Sequence, residues 1–173
     1  MLRRVIAAVP PRPLLRRPLV YNSSFSPFSF RTSPQQQQQQ REMSDMKPVF
    51  TTKACPPVGP YSQAMIAGPT IFVSGQMPAD VQGNLVEGSI AQKTEACCRN
   101  IAAILEEAGS DLTRVVKVNI FLDDMAHFTE MNGVYEKFFT GKPARSCIAA
   151  KQLPKGIPIE IECIALATEG SRL

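Results

Sequence analysis

The chain has 173 residues, 44% of them hydrophobic, which suffices for one packed domain and argues against disorder over most of its length. Its formal charge of +4 is unevenly placed: seven of the 19 basic residues, all arginines, lie in residues 1–41, a stretch without an acid, and the rest carries 12 bases against 15 acids, about −3. A net-acidic domain without a basic stripe argues against nucleic acid as a partner.

The arginine-rich leader also abounds in serine and proline and has no apolar run long enough for a secretory signal or a membrane span. It reads as a mitochondrial transit segment, with a basic tail lacking any address as the plain alternative. The polar tract "PQQQQQQREMSDM" that follows buries too little apolar surface to fold and reads as a linker. The expected division is therefore a transit segment and linker over 1–46 and one domain over 47–173. The expected location is the mitochondrial matrix, with Met43 and Met46 as candidate starts of a shorter cytoplasmic form.

Within the domain, one or two strands are expected before Ile71, and "TIFVSGQMPAD" reads as a strand running into a loop. In "GSIAQKTEACCRNIAAILEEAG", Ile90, Cys97, Ile101, Ile104, Leu105 and Ala108 recur at helical spacing, with Ser89 as N-cap and Gly109 as the stop. The nearly continuous apolar run in "TRVVKVNIFLDD" predicts a strand buried on more than one side. A second helix carries Phe128, Met131, Tyr135, Phe138 and Phe139 and is expected to end at Gly141. Two strands, "ARSCIAA" and "PIEIECIALA", close the chain around the turn "QLPKG". Two helices cover only one face of such a sheet, so the apolar Ile164 and Leu166 on the other face predict burial against further copies of the chain.

Five cysteines, Cys55, Cys97, Cys98, Cys147 and Cys163, contain no CxxC pair, and His127 is the single histidine. Reduced thiols and no metal site are expected, and His127 is read as a helix residue without a chemical role. The charges in the last two strands are less easily placed. If those strands form a hairpin around residues 153 and 154, Cys147 faces Glu160 and Arg145 faces Glu162 on one common side. Such a pair is either an ordinary cross-strand ion pair or a guanidinium clamp for a small carboxylate beside a water-handling glutamate, and spacing does not decide between them.

The segments "PPVGPYSQA", "IFVSGQMP", "RNIAAILEEAGS", "VVKVNIFLDDM" and "KPARSCIAAKQLPKGIPIEIECIA" resemble the reactive intermediate deaminase family, also called the YjgF family, and especially its mitochondrial fungal members. The likeness runs from about residue 48 to 168. It implies an α+β fold like that of chorismate mutase: a mixed sheet with two helices on one face, three subunits enclosing a central barrel, and active sites in clefts between subunits. The implied reaction, without cofactor or metal, hydrolyses 2-iminopropanoate and 2-iminobutanoate to keto acids and ammonia. That activity protects pyridoxal-phosphate enzymes and supports branched-chain amino-acid synthesis. The resemblance places the carboxylate-binding arginine at Arg145, the water-handling glutamate at Glu160, a site cysteine at Cys147 and a site tyrosine at Tyr61. Ser74, Gly75 and Asn100 match further substrate-binding positions. Glu162 receives no role, and the link between Phe139 and Pro143 is short for the family. An endoribonuclease, translation inhibitor or genome-maintenance factor is the competing class, and a chaperone without a used cleft is a third.

Overall fold

The computed structural model describes Ser33 and residues 46–168. The leader read as a transit segment and linker thus lies outside the described residues, apart from Ser33 and Met46. Six strands and two α-helices follow one another as β1 (Met46–Val49), β2 (Ala64–Ala67), β3 (Thr70–Gln76), α1 (Ile90–Glu107), β4 (Val115–Leu122), α2 (Phe128–Phe138), β5 (Ala144–Ala149) and β6 (Ile159–Leu166). They form one mixed sheet in the order β1-β2-β3-β6-β4-β5, antiparallel throughout except for the parallel pair β4 and β5. Two strands precede β3, as expected.

Period-two alternation sets the two sides of the sheet. On β6, Ile159, Ile161, Cys163 and Ala165 are buried under the helices, while Glu160, Glu162, Ile164 and Leu166 face away. α1 lies over the buried side through Ile101, Ile104 and Leu105, each fully buried; truncating any of them to alanine costs about 2 to 5 kcal/mol. Its start is a capping box: the Ser89 hydroxyl accepts from the Gln92 N–H at 3.3 Å and the Gln92 side chain accepts from the Ser89 N–H at 2.9 Å. Its stop is Gly109, in the left-handed region at φ 71°. α2 packs beside α1 through Met131 and Tyr135, and Glu130 accepts the Ala91 N–H at 2.8 Å, capping the first turn of α1 from its neighbour. This second helix ends at Phe138 rather than Gly141, and the short link then turns through Lys142 at φ 49°.

Two expectations are corrected here. Within the single chain β4 is buried on one side only: Val118, Ile120 and Leu122 are inside, while Lys117, Asn119 and Phe121 on the open side are partly exposed. Its apolar run accompanies a central position between β6 and β5. More consequentially, β5 and β6 do not form a hairpin. β4 lies between them, and the chain crosses its end through the 3₁₀ turn Pro154–Gly156, where Lys155 and Gly156 take positive φ. Ala150 N–H donates to Leu122 O at 2.8 Å and Asp123 N–H to Pro158 O at 3.0 Å, fixing that crossing. A parallel strand cannot be reached by a tight turn, so α2 supplies the β4-to-β5 connection and leaves β5 as a sheet edge.

The register follows. Arg145 lies opposite Val118 and Cys147 opposite Ile120, on the helix side; Glu160 lies opposite Phe121 and Glu162 opposite Asn119, on the open side. Arg145 and Glu160 of one chain are therefore on opposite faces of the sheet, not on a common one.

Candidate active site

The open side carries a cleft of about 230 Å³ lined by Val58, Tyr61, Ser74, Gly75, Met77 and Glu160. A β-bulge makes it. Between β3 and β6, Val73 pairs with Cys163 and Gln76 with Ile161, so three steps on one strand match two on the other and Ser74 and Gly75 absorb the difference. The bulge brings the Gly75 Cα against the Glu160 side chain, where a Cβ would stand 2.7 Å from Cδ and collide with Oε1. Only glycine fits there without moving the carboxylate.

Buried amides hold the walls. Ser74 donates its N–H to Gln63 O at 3.0 Å and its hydroxyl to Ser62 O at 2.7 Å. The fully buried Gln63 accepts the Thr51 N–H at 2.7 Å and donates Nε2 to Thr51 O at 3.1 Å and Cys55 O at 2.9 Å. Asn100 of α1 accepts the Cys55 N–H at 3.2 Å and donates to Met77 O at 3.3 Å and Ala79 O at 2.9 Å. The Cys55 backbone is thereby gripped from both sides, and the loop leading to Tyr61 is tied to the loop after β3. Asn100, buried and committed to backbone groups, stands behind the residues that line the cleft and shapes its wall. Tyr61 sits at the mouth, 43% exposed, its hydroxyl accepting the Val58 N–H at 3.2 Å. Beneath the cleft, Cys55, Met77, Ala79 and Ile157 form a small apolar cluster separate from the main core.

Burial pushes the Glu160 carboxyl above its ordinary range, and the negative charge of Glu162 adds to the shift. Such a group exchanges protons more readily near neutral pH than a free glutamate.

Arg145 occupies a different setting, on the edge strand β5 and against α2. Its Nη1 donates to Asn132 Oδ1 at 2.6 Å, and its guanidinium carbon lies 4.7 Å from the Tyr135 ring centroid and 5.6 Å from that of Phe128. Phe128, Asn132 and Tyr135 recur at i, i+4 and i+7 on one stripe of α2. The one buried side-chain polar atom without a partner among the described residues is the Tyr135 hydroxyl, and burial pushes its pKa up. Cys147, half-buried one alternation along β5, has its thiol pushed up by burial, against a lowering effect of the Arg145 charge. It is a thiol rather than a thiolate at neutral pH and is poorly suited to nucleophilic attack. His127 Nε2 lies 3.4 Å from Asp123 Oδ1. Among the described residues no cluster of three His, Cys, Asp or Glu side chains is placed to hold a metal ion, and no helix is long and apolar enough to cross a membrane.

A bulged mixed sheet with a glycine-backed glutamate on one face, an aromatic-caged arginine on its edge and two helices behind defines the architecture of a known group. The chain belongs to the Endoribonuclease L-PSP family, whose profile matches residues 51–167, and so to the reactive intermediate deaminase group that its motifs resemble. It is 49% identical to Protein HMF1 of Saccharomyces cerevisiae over 71% of this chain and 96% of that one. It is 45% identical to the same organism's "Protein MMF1, mitochondrial" over 73% and 88%, and 42% identical to the 2-iminobutanoate/2-iminopropanoate deaminase of Bos taurus over 69% and 89%. The crystal structure of yeast Mmf1 superposes with a TM-score of 0.70 at 44% identity, covering 71% of this chain and 99% of that one.

Proposed function

We propose that the chain hydrolyses small 2-imino acids, 2-iminobutanoate and 2-iminopropanoate, to 2-keto acids and ammonia. The observation that carries this reading is the Glu160 carboxyl, held against Gly75 in a small cleft with its proton affinity raised. An imine carbon next to a carboxylate is already electrophilic. Water adds to the protonated imine as Glu160 takes one of the water's protons, giving a neutral tetrahedral carbinolamine. Glu160 returns that proton to the nitrogen; as the C–N bond breaks and ammonia leaves, the hydroxyl gives its own proton to Glu160 and becomes the ketone oxygen. One carboxyl thus serves as base and then as acid, a role worth about 10² to 10⁴ in rate. Cys147 acts as backbone and wall, not as a nucleophile, and Tyr61 closes the mouth.

Arg145 binds the substrate carboxylate through the N–H groups that Asn132 does not occupy. Since Arg145 and Glu160 of one chain lie on opposite faces, the complete site takes Arg145 and Cys147 from one chain and Tyr61, Ser74, Gly75 and Glu160 from the next. The proposed assembly is a homotrimer with the open faces inward, supported by Phe72, Ile148 and Leu166, which are 47%, 54% and 42% exposed in the single chain. The relative named as mitochondrial supports residues 1–46 as a transit segment and linker and the mitochondrial matrix as the location. The test is ammonia release from an imino acid generated in place by a threonine dehydratase, run beside an RNA-cleavage assay because the family description names an endoribonuclease. Acceleration lost in Arg145→Ala supports the reading; equal rates in both overturn it.

A further inference from the structure

Glu162 is a carboxylate with no part in the reaction just described. It follows Glu160 by two positions on β6, so both side chains project from the open face, about 7 Å apart along the strand. Each is fixed in place: Asn119, opposite Glu162 in the β4 register, donates Nδ2 to Glu162 Oε1 at 2.8 Å, while the Gly75 Cα backs Glu160. Among the described residues, neither carboxylate has a lysine, arginine or histidine within 4.0 Å.

The groups facing Glu160 can be taken element by element. β3 offers Ser74 and Gly75, and the loop before β2 offers Tyr61. The turn offers Pro154, followed by Lys155, whose charge acts on the Cys55 thiol. β4 offers Phe121 in register, with Lys117 further along donating its Nζ to Ser146 Oγ at 2.8 Å. From α1, behind the sheet, comes Cys97, a buried thiol pushed well up. Arg145 is on the opposite face. Within one chain the fixed charge that bears on Glu160 is therefore Glu162, and it is negative; in the proposed assembly the neighbouring chain's Arg145 opposes it.

We propose that Glu162, anchored by Asn119, is a positioning residue for catalysis: its fixed negative charge keeps Glu160 basic enough to take a proton from water and acidic enough, once protonated, to return it to the departing nitrogen. This rests on the proposed role of Glu160. The demand is chemical, because a carboxyl that works in both directions is most effective when its proton affinity lies near the working pH. Burial makes the larger contribution to the raised proton affinity, and a second carboxylate adds to it only if it stays put. Asn119 prevents Glu162 from swinging into water, where screening would weaken its effect.

The experiment uses the full-length chain with ¹³C-labelled glutamate, following carboxyl signals against pH, with Glu160 assigned by the signal missing in Glu160→Gln. The expected result is a Glu160 midpoint that moves to lower pH in the isosteric Glu162→Gln and stays near the wild-type value in Glu162→Asp, which keeps the charge. In the imine assay the acid limb of the rate profile moves the same way, and the plateau kcat of Glu162→Gln falls about two- to fivefold with KM unchanged. An unmoved midpoint in folded Glu162→Gln overturns the proposal even if the enzyme is an active deaminase. A shifted midpoint in a protein that does not hydrolyse imines upholds the coupling and overturns the function assigned to Glu160.

Discussion

Gly75 and Glu160 touch across the β3 bulge so closely that a single methyl group on the glycine would occupy the space of the carboxylate. The atoms in the way belong to the far end of a flexible side chain, so the protein can yield by moving Glu160 alone. Gly75→Ala is therefore expected to fold with a melting temperature within a few degrees of wild type while kcat falls about 10²-fold or more. Thermal denaturation and the imine assay on one preparation check both halves.

The guanidinium of Arg145 is held by Asn132 on one edge and by two aromatic rings, which demands a flat, charged group. Lysine keeps the charge but loses the fork and the stacking. Arg145→Lys is expected to raise KM at least tenfold, and Arg145→Ala more. Tyr135→Phe keeps the ring beneath Arg145 and removes a buried hydroxyl that has no partner among the described residues. It should leave KM unchanged and hold or raise stability, by up to about 1 to 2 kcal/mol, measured by urea denaturation.

Gln63 and Asn100 grip the same Cys55 backbone from opposite sides. Gln63→Leu and Asn100→Leu each strand buried backbone groups and should cost about 2 to 4 kcal/mol. Because they share a partner, the double variant should cost less than the sum, which a double-mutant cycle in urea measures.

Glu160 also leaves a pH signature in stability. A carboxyl whose folded pKa lies above its unfolded value favours folding in its protonated form. That contribution is fully present below about pH 4.3 and is lost as pH rises through the folded value. Glutamine mimics the neutral form at every pH. Glu160→Gln should therefore melt at a higher temperature than wild type near pH 7, with the difference vanishing below about pH 4. Melting curves of the pair at both values test the sign.

What the residues disclosed on their own was local. The α1 stripe from Ile90 to Ala108, its Ser89 cap and its Gly109 stop are periodicity and cap chemistry, confined within 20 or so residues, and they stand. The alternation of β6 likewise separated Ile159, Ile161 and Cys163 from the two glutamates correctly. Strand partnership was not legible, because "QLPKG" reads as a hairpin turn whether or not a third strand lies between the two it joins; β4 does, and Arg145 changes faces relative to Glu160. Asn132 escaped notice because its stripe on α2 also carries core aromatics. Nor were the three hydrogen bonds of Asn100 to distant backbone groups legible, because no spacing along α1 encodes them.

The central claim is that one chain's Arg145 works with another chain's Glu160. Arg145→Ala and Glu160→Gln are each expected to be inactive alone. Co-refolded in equal amounts they form mixed assemblies, in which random assortment unites an intact Arg145 with an intact Glu160 at about one site in four. Recovery of imine hydrolysis to roughly a quarter of the wild-type rate in the mixture is the predicted result. A mixture as inactive as its two components, with mixed assembly verified by mass, would contradict it.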